Sequence, residues 1–314
     1  MSKTEANAMN RLMPTPRGLW ITCLILPALA VMLLFVAYPI VSALAYAFFH
    51  WNGMARGEFV GFQNFYDVLF TEPYKSTVQN AFINNMIVFV TLMVVQNGAA
   101  FILAYALWRE FPLARFHRIA VFLPVVLSTV IVGYLWKLFL NPLFGIVNQT
   151  LKAVGLAEWA QPWLGQSDTA LASLILVNAW HWVGFPTLIF LAAMQRIPGE
   201  IYDAVRMETE SEWVKIRKIV WPLVAPAATI VFVLQFIGSF NWFELPYVME
   251  GMSGSPFGNT DVLALYFYRL AFGNPGAGSS DFGHGSALAA LVFIFITVFA
   301  TAMTLYLRRR EIEL

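Results

Sequence analysis

The sequence predicts an all-α membrane protein of six transmembrane helices, with both termini cytoplasmic and a structured cytoplasmic loop between helices 4 and 5. Three observations predict it: an apolar composition, six separate apolar runs of membrane-spanning length, and a one-sided distribution of Lys and Arg. Hydrophobic residues make up 59% of the 314 and charged residues 12%, with a mean hydropathy of +0.67. Soluble domains run at roughly 45 to 50% apolar and about 25% charged. A chain of this length suits one six-to-eight-helix membrane domain better than two soluble ones. The net charge of +1 leaves no clustered basic surface for nucleic acid. The lone cysteine, Cys23, sits inside an apolar run, which excludes disulfides and thiolate zinc sites.

A hydrocarbon core about 30 Å thick needs about 20 helical residues. The six runs lie near 19–49, 83–107, 119–140, 170–194, 219–240 and 285–307. The first is long enough to tilt, or to break at Pro27 or Pro39, because proline removes a backbone donor and crowds the preceding turn. A secretory signal is the alternative for this run, since Arg11 and Arg17 precede it and Ala43-Leu44-Ala45 resembles a cleavage site. Signal cores are only about 7 to 15 residues long, and this run is about twice that.

Positive charges near span ends stay on the cytoplasmic side. A cytoplasmic N-terminus puts Lys3, Arg11, Arg17, Arg109, Arg115, Arg118, Arg196, Arg206, Lys215, Arg217, Lys218 and Arg308 to Arg310 inside. Only Arg56, Lys75, Lys137, Lys152 and Arg269 remain outside, a division of 14 to 5 among the 19 Lys and Arg residues. Residues 1–18 are then a cytoplasmic tail, 19–307 the membrane domain with its main cytoplasmic loop at 195–218, and 308–314 a second tail. Trp51, Tyr134, Trp136, Trp180 and Trp182 fall near the outer interface and Trp108, Trp221 and Tyr306 near the inner one, where amphipathic rings concentrate.

The loop between spans four and five carries its own helical pattern. Pro198 suits a first helical turn, Glu200 and Asp203 place negative charge where the helix dipole favours it, and Arg206 and Glu210 are spaced four apart. Thr209 and Glu212 precede Trp213, Ile216, Ile219 and Val220 with the spacing of a capping box followed by an apolar stripe, so a second helix is expected to begin near Thr209. Two short helices with a corner between them form a knuckle under the membrane. It serves either as a docking face for a partner or as a solvated connector.

Tyr202-Asp203-Ala204-Val205-Arg206-Met207-Glu208-Thr209, continuing through Trp213, Ile216, Ile219 and Trp221 to Pro222 and Pro226, resembles the EAA loop of binding-protein-dependent ABC importer permeases. Asp203 stands where the family has Glu, Val205 for the second Ala, and Glu208 for the Asp. Thr209 replaces the usual Gly, a change that an N-cap role would tolerate because Thr is favoured there. Further similarity to the sugar-importer branch runs through Phe59 to Phe65, Phe122 to Val126, Ile197-Pro198, Asn259-Thr260, Tyr266 to Arg269 and Gly285 to Ala287. The class resembled is that of the larger maltose permease subunit, in a compact six-span form without that subunit's additional helices and outer domain. The resemblance implies a subunit of the bacterial cytoplasmic (inner) membrane that pairs with a second homologous permease and two ATP-binding-cassette ATPases. An external solute-binding protein would feed it a sugar or oligosaccharide. It also implies no cofactor in this chain, ATP and Mg being held by the partner ATPases, no catalytic residue and no metal. Asp203, Ala204, Val205, Glu208 and Thr209 become the ATPase-coupling residues.

Spans four and five hold the informative polar residues. Gly184 and Pro186 interrupt an apolar run at Asn178 to Thr187, and such breaks are tolerated mainly where a helix lines a cavity. Gln235, Ser239, Asn241, Trp242 and Glu244 cluster in span five. Amides and hydroxyls with aromatic rings suit a sugar, but amides also tie membrane helices together. The resemblance to the maltose subunit assigns Trp180, Val183, Gly184, Thr187, Gln235, Gly238, Ser239 and Trp242 as substrate contacts. His181 reads as a packing or hydrogen-bonding residue rather than a proton relay, and Glu244 and Lys137 as groups that snorkel from outer span ends. Three alternatives differ in kind. A glycerol-phosphate-type ABC permease is one. An ion-coupled secondary transporter would be expected to carry mid-span carboxylates, and a membrane enzyme a catalytic motif such as H-E-x-x-H or G-x-S-x-G. The sequence carries neither of the last two features.

Overall fold

The computed structural model describes residues 16–53, 55–109, 114–201, 207, 209–273 and 280–309. The chain is mostly helical. Among the described residues, four helices are long and apolar enough to cross a membrane: Trp20–Tyr46, Tyr74–Trp108, Glu212–Phe240 and Phe282–Arg308. Two bent pairs raise the number to six if each counts as one span. Phe116–Val126 and Thr129–Phe139 meet at 97°, and Ser167–Trp182 and Gly184–Met194 at 44°.

The first span comprises α1 (Pro16–Met32), a π-helical turn (Leu33–Ala37) and α2 (Tyr38–Tyr46). It breaks at neither Pro27 nor Pro39. Instead the chain widens just before Pro39, with the Tyr38 N–H reaching Leu33 O, a way of keeping the helix continuous around a missing donor. The residues that follow depart from an all-helical expectation. Strands β1 (Phe49–Asn52) and β2 (Ala55–Phe59) form an antiparallel hairpin turning at Gly53, whose φ of +62° favours glycine. An amphipathic helix α3 (Gln63–Phe70) lies behind it, anchored by the buried Asn64 amide on the carbonyls of Ala47 and Phe49 at 2.8 and 2.9 Å.

Helix α4 (Tyr74–Trp108) starts nine residues before the apolar run that announces it and spans about 52 Å at 1.5 Å per residue. Its buried residues include Asn84, Asn85, Gln96 and Asn97, so polar groups as well as apolar ones face the bundle. Helix α5 (Ala114–Val126) bends into α6 (Thr129–Phe139), a short α7 (Ile146–Ala153) follows, and α8 (Ser167–Trp182) continues into α9 (Gly184–Met194). The chain approaches span five through α10 (Glu212–Lys215) and a π-helical turn (Ile216–Val220), leading into α11 (Trp221–Phe240). Helices α12 (Glu244–Glu250), α13 (Leu263–Phe272) and α14 (Phe282–Arg308) complete the chain.

Three apolar clusters hold the bundle together. Leu92, Leu174 and Leu245 belong to one, Ala104, Phe190 and Val224 to a second, and Phe236, Phe240 and Leu288 to a third. α4 borders all three, which explains why its sequence shows no single apolar face. Gly184 is where two backbones touch: a Cβ there would lie 2.5 Å from Val121 O. Three asparagines on α4 also grip the loop between α12 and α13. Asn80 donates to Gly258 O at 2.8 Å, Asn84 to Asn259 O and Asp261 O at 3.1 and 2.8 Å, and Asn85 accepts from Leu263 N at 2.9 Å. Within the loop, Asp261 is buried against Arg269, which also donates to Met252 O.

Candidate functional site

A cavity of about 540 Å³ opens between α4, α8, α9, α11 and α12, within the range of small-molecule sites. The break in span four shapes one wall. The chain bends at Val183, and Pro186 at the start of α9 withdraws the N–H that the Trp182 carbonyl would otherwise accept. On the opposite wall α11 ends at Phe240, and the chain turns through Asn241 to Phe243 before α12 begins. Side-chain amides run across the floor: Asn178 donates to Gln96 Oε1 at 3.4 Å, Gln96 to Gln235 Oε1 at 3.1 Å, and Gln235 to Ser239 Oγ at 3.3 Å. Asn85 holds the Ser239 carbonyl from behind at 2.6 Å. Behind the wall, two buried atoms have no partner among the described residues, the Asn97 Oδ1 acceptor and the Trp242 Nε1 donor, on residues 3% and 9% exposed.

Of the eight candidate contacts, the structure brings together the four on span five: Gln235, Gly238, Ser239 and Trp242 all line the cavity. The four on span four do not. Trp180 packs edge-on against Trp136 with centroids 5.5 Å apart. Val183 packs on the inner apolar cluster, Gly184 lies against the α5 backbone, and the buried Thr187 donates back to Val183 O at 2.7 Å. The cavity face of span four is rotated from that register and consists of Asn178, Trp182, Phe185, Pro186 and Ile189. Steps of four, three and four from 178 to 189 trace one helical stripe, a signal present in the sequence. Gln96, Asn97 and Thr129 also line the site. An adjacent amide pair inside an apolar run was their signal, since amides are costly in hydrocarbon unless they have partners.

His181 does not face this cavity. It is 1% exposed, and its Nε2 meets Leu127 O at 3.1 Å. That carbonyl lies at the break between α5 and α6, so the imidazole satisfies a backbone group that the bend leaves open.

Of the coupling candidates, Asp203, Ala204, Val205 and Glu208 lie outside the described residues. The chain is helical at 199–201, just after Pro198, and at 207. The expected capping box at Thr209 does not form. Helix α10 begins at Glu212 behind Ser211, and Thr209 Oγ1 accepts from Ser211 N at 3.2 Å. The physical reason is competition for Glu212. Its carboxylate accepts from the Tyr105 hydroxyl at 2.5 Å, lies 3.2 Å from Arg109 and meets Lys215 Nζ at 3.1 Å. These partners tie the entry of span five to the inner end of α4, and they outbid a neutral backbone N–H.

A helical bundle with a broken span around a polar and aromatic cavity, and a charged junction between the end of α4 and the start of α10, defines a polytopic translocation protein. The chain belongs to the ABC transporter permeases: it is 33% identical over 276 residues, 86% of its length, to the probable ABC transporter permease protein YurN of Bacillus subtilis, of which it covers 89%. It is 27% identical to the probable starch degradation products transport system permease protein AmyD of Thermoanaerobacterium thermosulfurigenes, across 95% of this chain and 97% of that one. No family model matches the chain. Its fold is similar to a chain in the crystal structure of a bacterial alginate ABC transporter in complex with an alginate pentasaccharide-bound periplasmic protein. The TM-score there is 0.71 at 22% identity, covering 93% of each chain.

Proposed function

We propose that this chain is the membrane permease subunit of an ABC importer that carries a sugar or oligosaccharide inward from an external binding protein. The observation that carries the reading is the amide chain Asn178-Gln96-Gln235-Ser239 beside Trp242 in the wall of a cavity at a broken span. Amides donate and accept together, as sugar hydroxyls do, and an indole covers the apolar face of a pyranose. Two likenesses support it. AmyD serves the transport of starch degradation products, and the alginate transporter is seen with a pentasaccharide-loaded periplasmic protein.

In this reading the chain has six spans, each bent pair crossing once, with both termini and the loop 195–218 in the cytoplasm of a bacterial inner membrane. It pairs with a second permease, and two ATPase subunits bind ATP and Mg beneath it. Asp203 to Thr209 dock on one ATPase. Closure of the ATPases on ATP moves that corner, and the Glu212 junction passes the movement to α4 and α11, which share the cavity wall. Uptake in proteoliposomes tests the proposal. It is expected to fail with an ATPase-dead partner, to persist when ion gradients are collapsed, and to fall about five-fold or more in Trp242→Ala or Gln235→Ala with the complex intact, since a buried hydrogen-bonding group contributes about 1 to 3 kcal/mol. Uptake that follows a proton or sodium gradient and ignores the ATPase would overturn it.

A further inference from the structure

We propose that Glu244 makes the cavity selective for uncharged saccharides and against uronates, sulfonates and sugar phosphates. This rests on the sugar-importer reading and adds the electrostatic class of the cargo. Among the described residues that line the cavity, Glu244 is the one with an ionisable side chain. It opens α12 directly after the chain leaves span five, exposed at the wall, and no ion pair neutralises it among the described residues. A carboxylate at the mouth of the passage repels an anion, and among the described residues no lysine, arginine or histidine on this chain's share of the wall offsets it.

The rest of the lining is neutral. Gln96, Asn97, Asn178, Gln235 and Ser239 carry side chains that bond hydroxyls as donors or acceptors, and among the described residues no lining side chain is a cation that would replace the water an anion gives up. An uncharged saccharide therefore loses less on entering than a uronate or a glycerol-phosphate cargo does.

The test measures direct binding of a neutral panel (maltotriose, xylotriose, lactose) and of trigalacturonate to the complete detergent-solubilised complex of permeases and ATPases, without the binding protein. Wild type is expected to prefer its best neutral sugar over trigalacturonate by ten-fold or more. Glu244→Gln should narrow that ratio at least five-fold, and Glu244→Asp should keep it. Trigalacturonate bound as well as the neutral sugars, or a ratio unchanged in Glu244→Gln, overturns the proposal. Binding of none of the four sugars by a complex that still hydrolyses ATP would instead overturn the sugar reading beneath it.

Discussion

Replacing Glu212 with alanine should loosen the junction between the inner end of α4 and the entry to span five. The lost contacts can be weighed separately. The 2.5 Å hydrogen bond from Tyr105 goes to a charged acceptor, and such bonds contribute about 1.5 to 3 kcal/mol. The pairs with Arg109 and Lys215 involve a carboxylate whose side chain is 38% exposed, so each is held to about 0.2 to 1 kcal/mol by solvent screening. Taking the lower part of each range, the junction loses roughly 2 to 3 kcal/mol, or about 30- to 150-fold in its opening equilibrium at 1.4 kcal/mol per ten-fold. Hydrogen exchange of the complex in nanodiscs reads this directly, because local opening limits exchange. Amides at 105–109 and 212–215 should exchange faster by that factor in Glu212→Ala and by about ten-fold in Tyr105→Phe, while the α13–α14 contact stays as in wild type. If the junction transmits movement, substrate-stimulated ATP hydrolysis falls alongside. Unchanged exchange at both segments in Glu212→Ala would refute the reasoning, since the contacts would then contribute nothing.

Gly184→Val should lower the thermal midpoint of the solubilised complex through a loss of about 1 to 3 kcal/mol, because its Cβ would press on the Val121 carbonyl, a backbone atom with no rotamer to change; a wild-type midpoint would count against that contact. Burial pushes the Glu250 carboxyl up to about 7, and its Oε1 has no hydrogen-bond partner among the described residues. The folded protein therefore holds this proton more tightly than the unfolded chain, so the contribution is full below about pH 4.5 and is lost as pH rises through 7. Glu250→Gln should flatten that decline between pH 5 and 8, and an equal slope in both proteins would exclude Glu250 as its source. In a Cys23→Ala background, a cysteine at position 210 should react with membrane-impermeant maleimide only after the cell is opened; labelling from outside would invert the topology.

The spans were legible in the sequence because hydropathy over about 20 residues is a bulk property, indifferent to register. The breaks were less so. Proline marks where a donor is missing, yet Pro39 is absorbed by a π-helical turn, whereas the 97° bend falls after Pro124 at Leu127 and Ser128. Tertiary contacts decide between these outcomes, and His181, 54 residues away, is one of them. The hairpin at 49–59 was hidden because its pairing depends on Gly53 and on packing against Asn64 and α14 rather than on a strong alternating pattern. Of the eight residues assigned as contacts, the four near span five line the cavity and the four on span four do not, for one reason. Gln235, Gly238 and Ser239 lie in the unbroken α11, where helical spacing holds, and Trp242 follows just past its end at Phe240. Span four bends at Val183, and contacts transferred by resemblance across a bend landed one face away from Trp182 and Phe185. The Thr209 and Glu212 spacing satisfied a local rule that Tyr105, 107 residues distant, overrides.

The asparagine grip on the loop between α12 and α13 bears on how such a protein can diversify. Asn80 and Asn84 take hold of main-chain carbonyls at Gly258, Asn259 and Asp261, and Asn85 of the Leu263 amide. Peptide groups are present whatever the residue type, so these anchors impose no side-chain identity on Ser253, Ser255 or the outward-pointing Phe257. Replacements at those positions leave the attachment to α4 intact. The surface of this loop can thus acquire new partners by substitution while its footing on α4 stays the same, which separates the evolution of recognition from the maintenance of the fold.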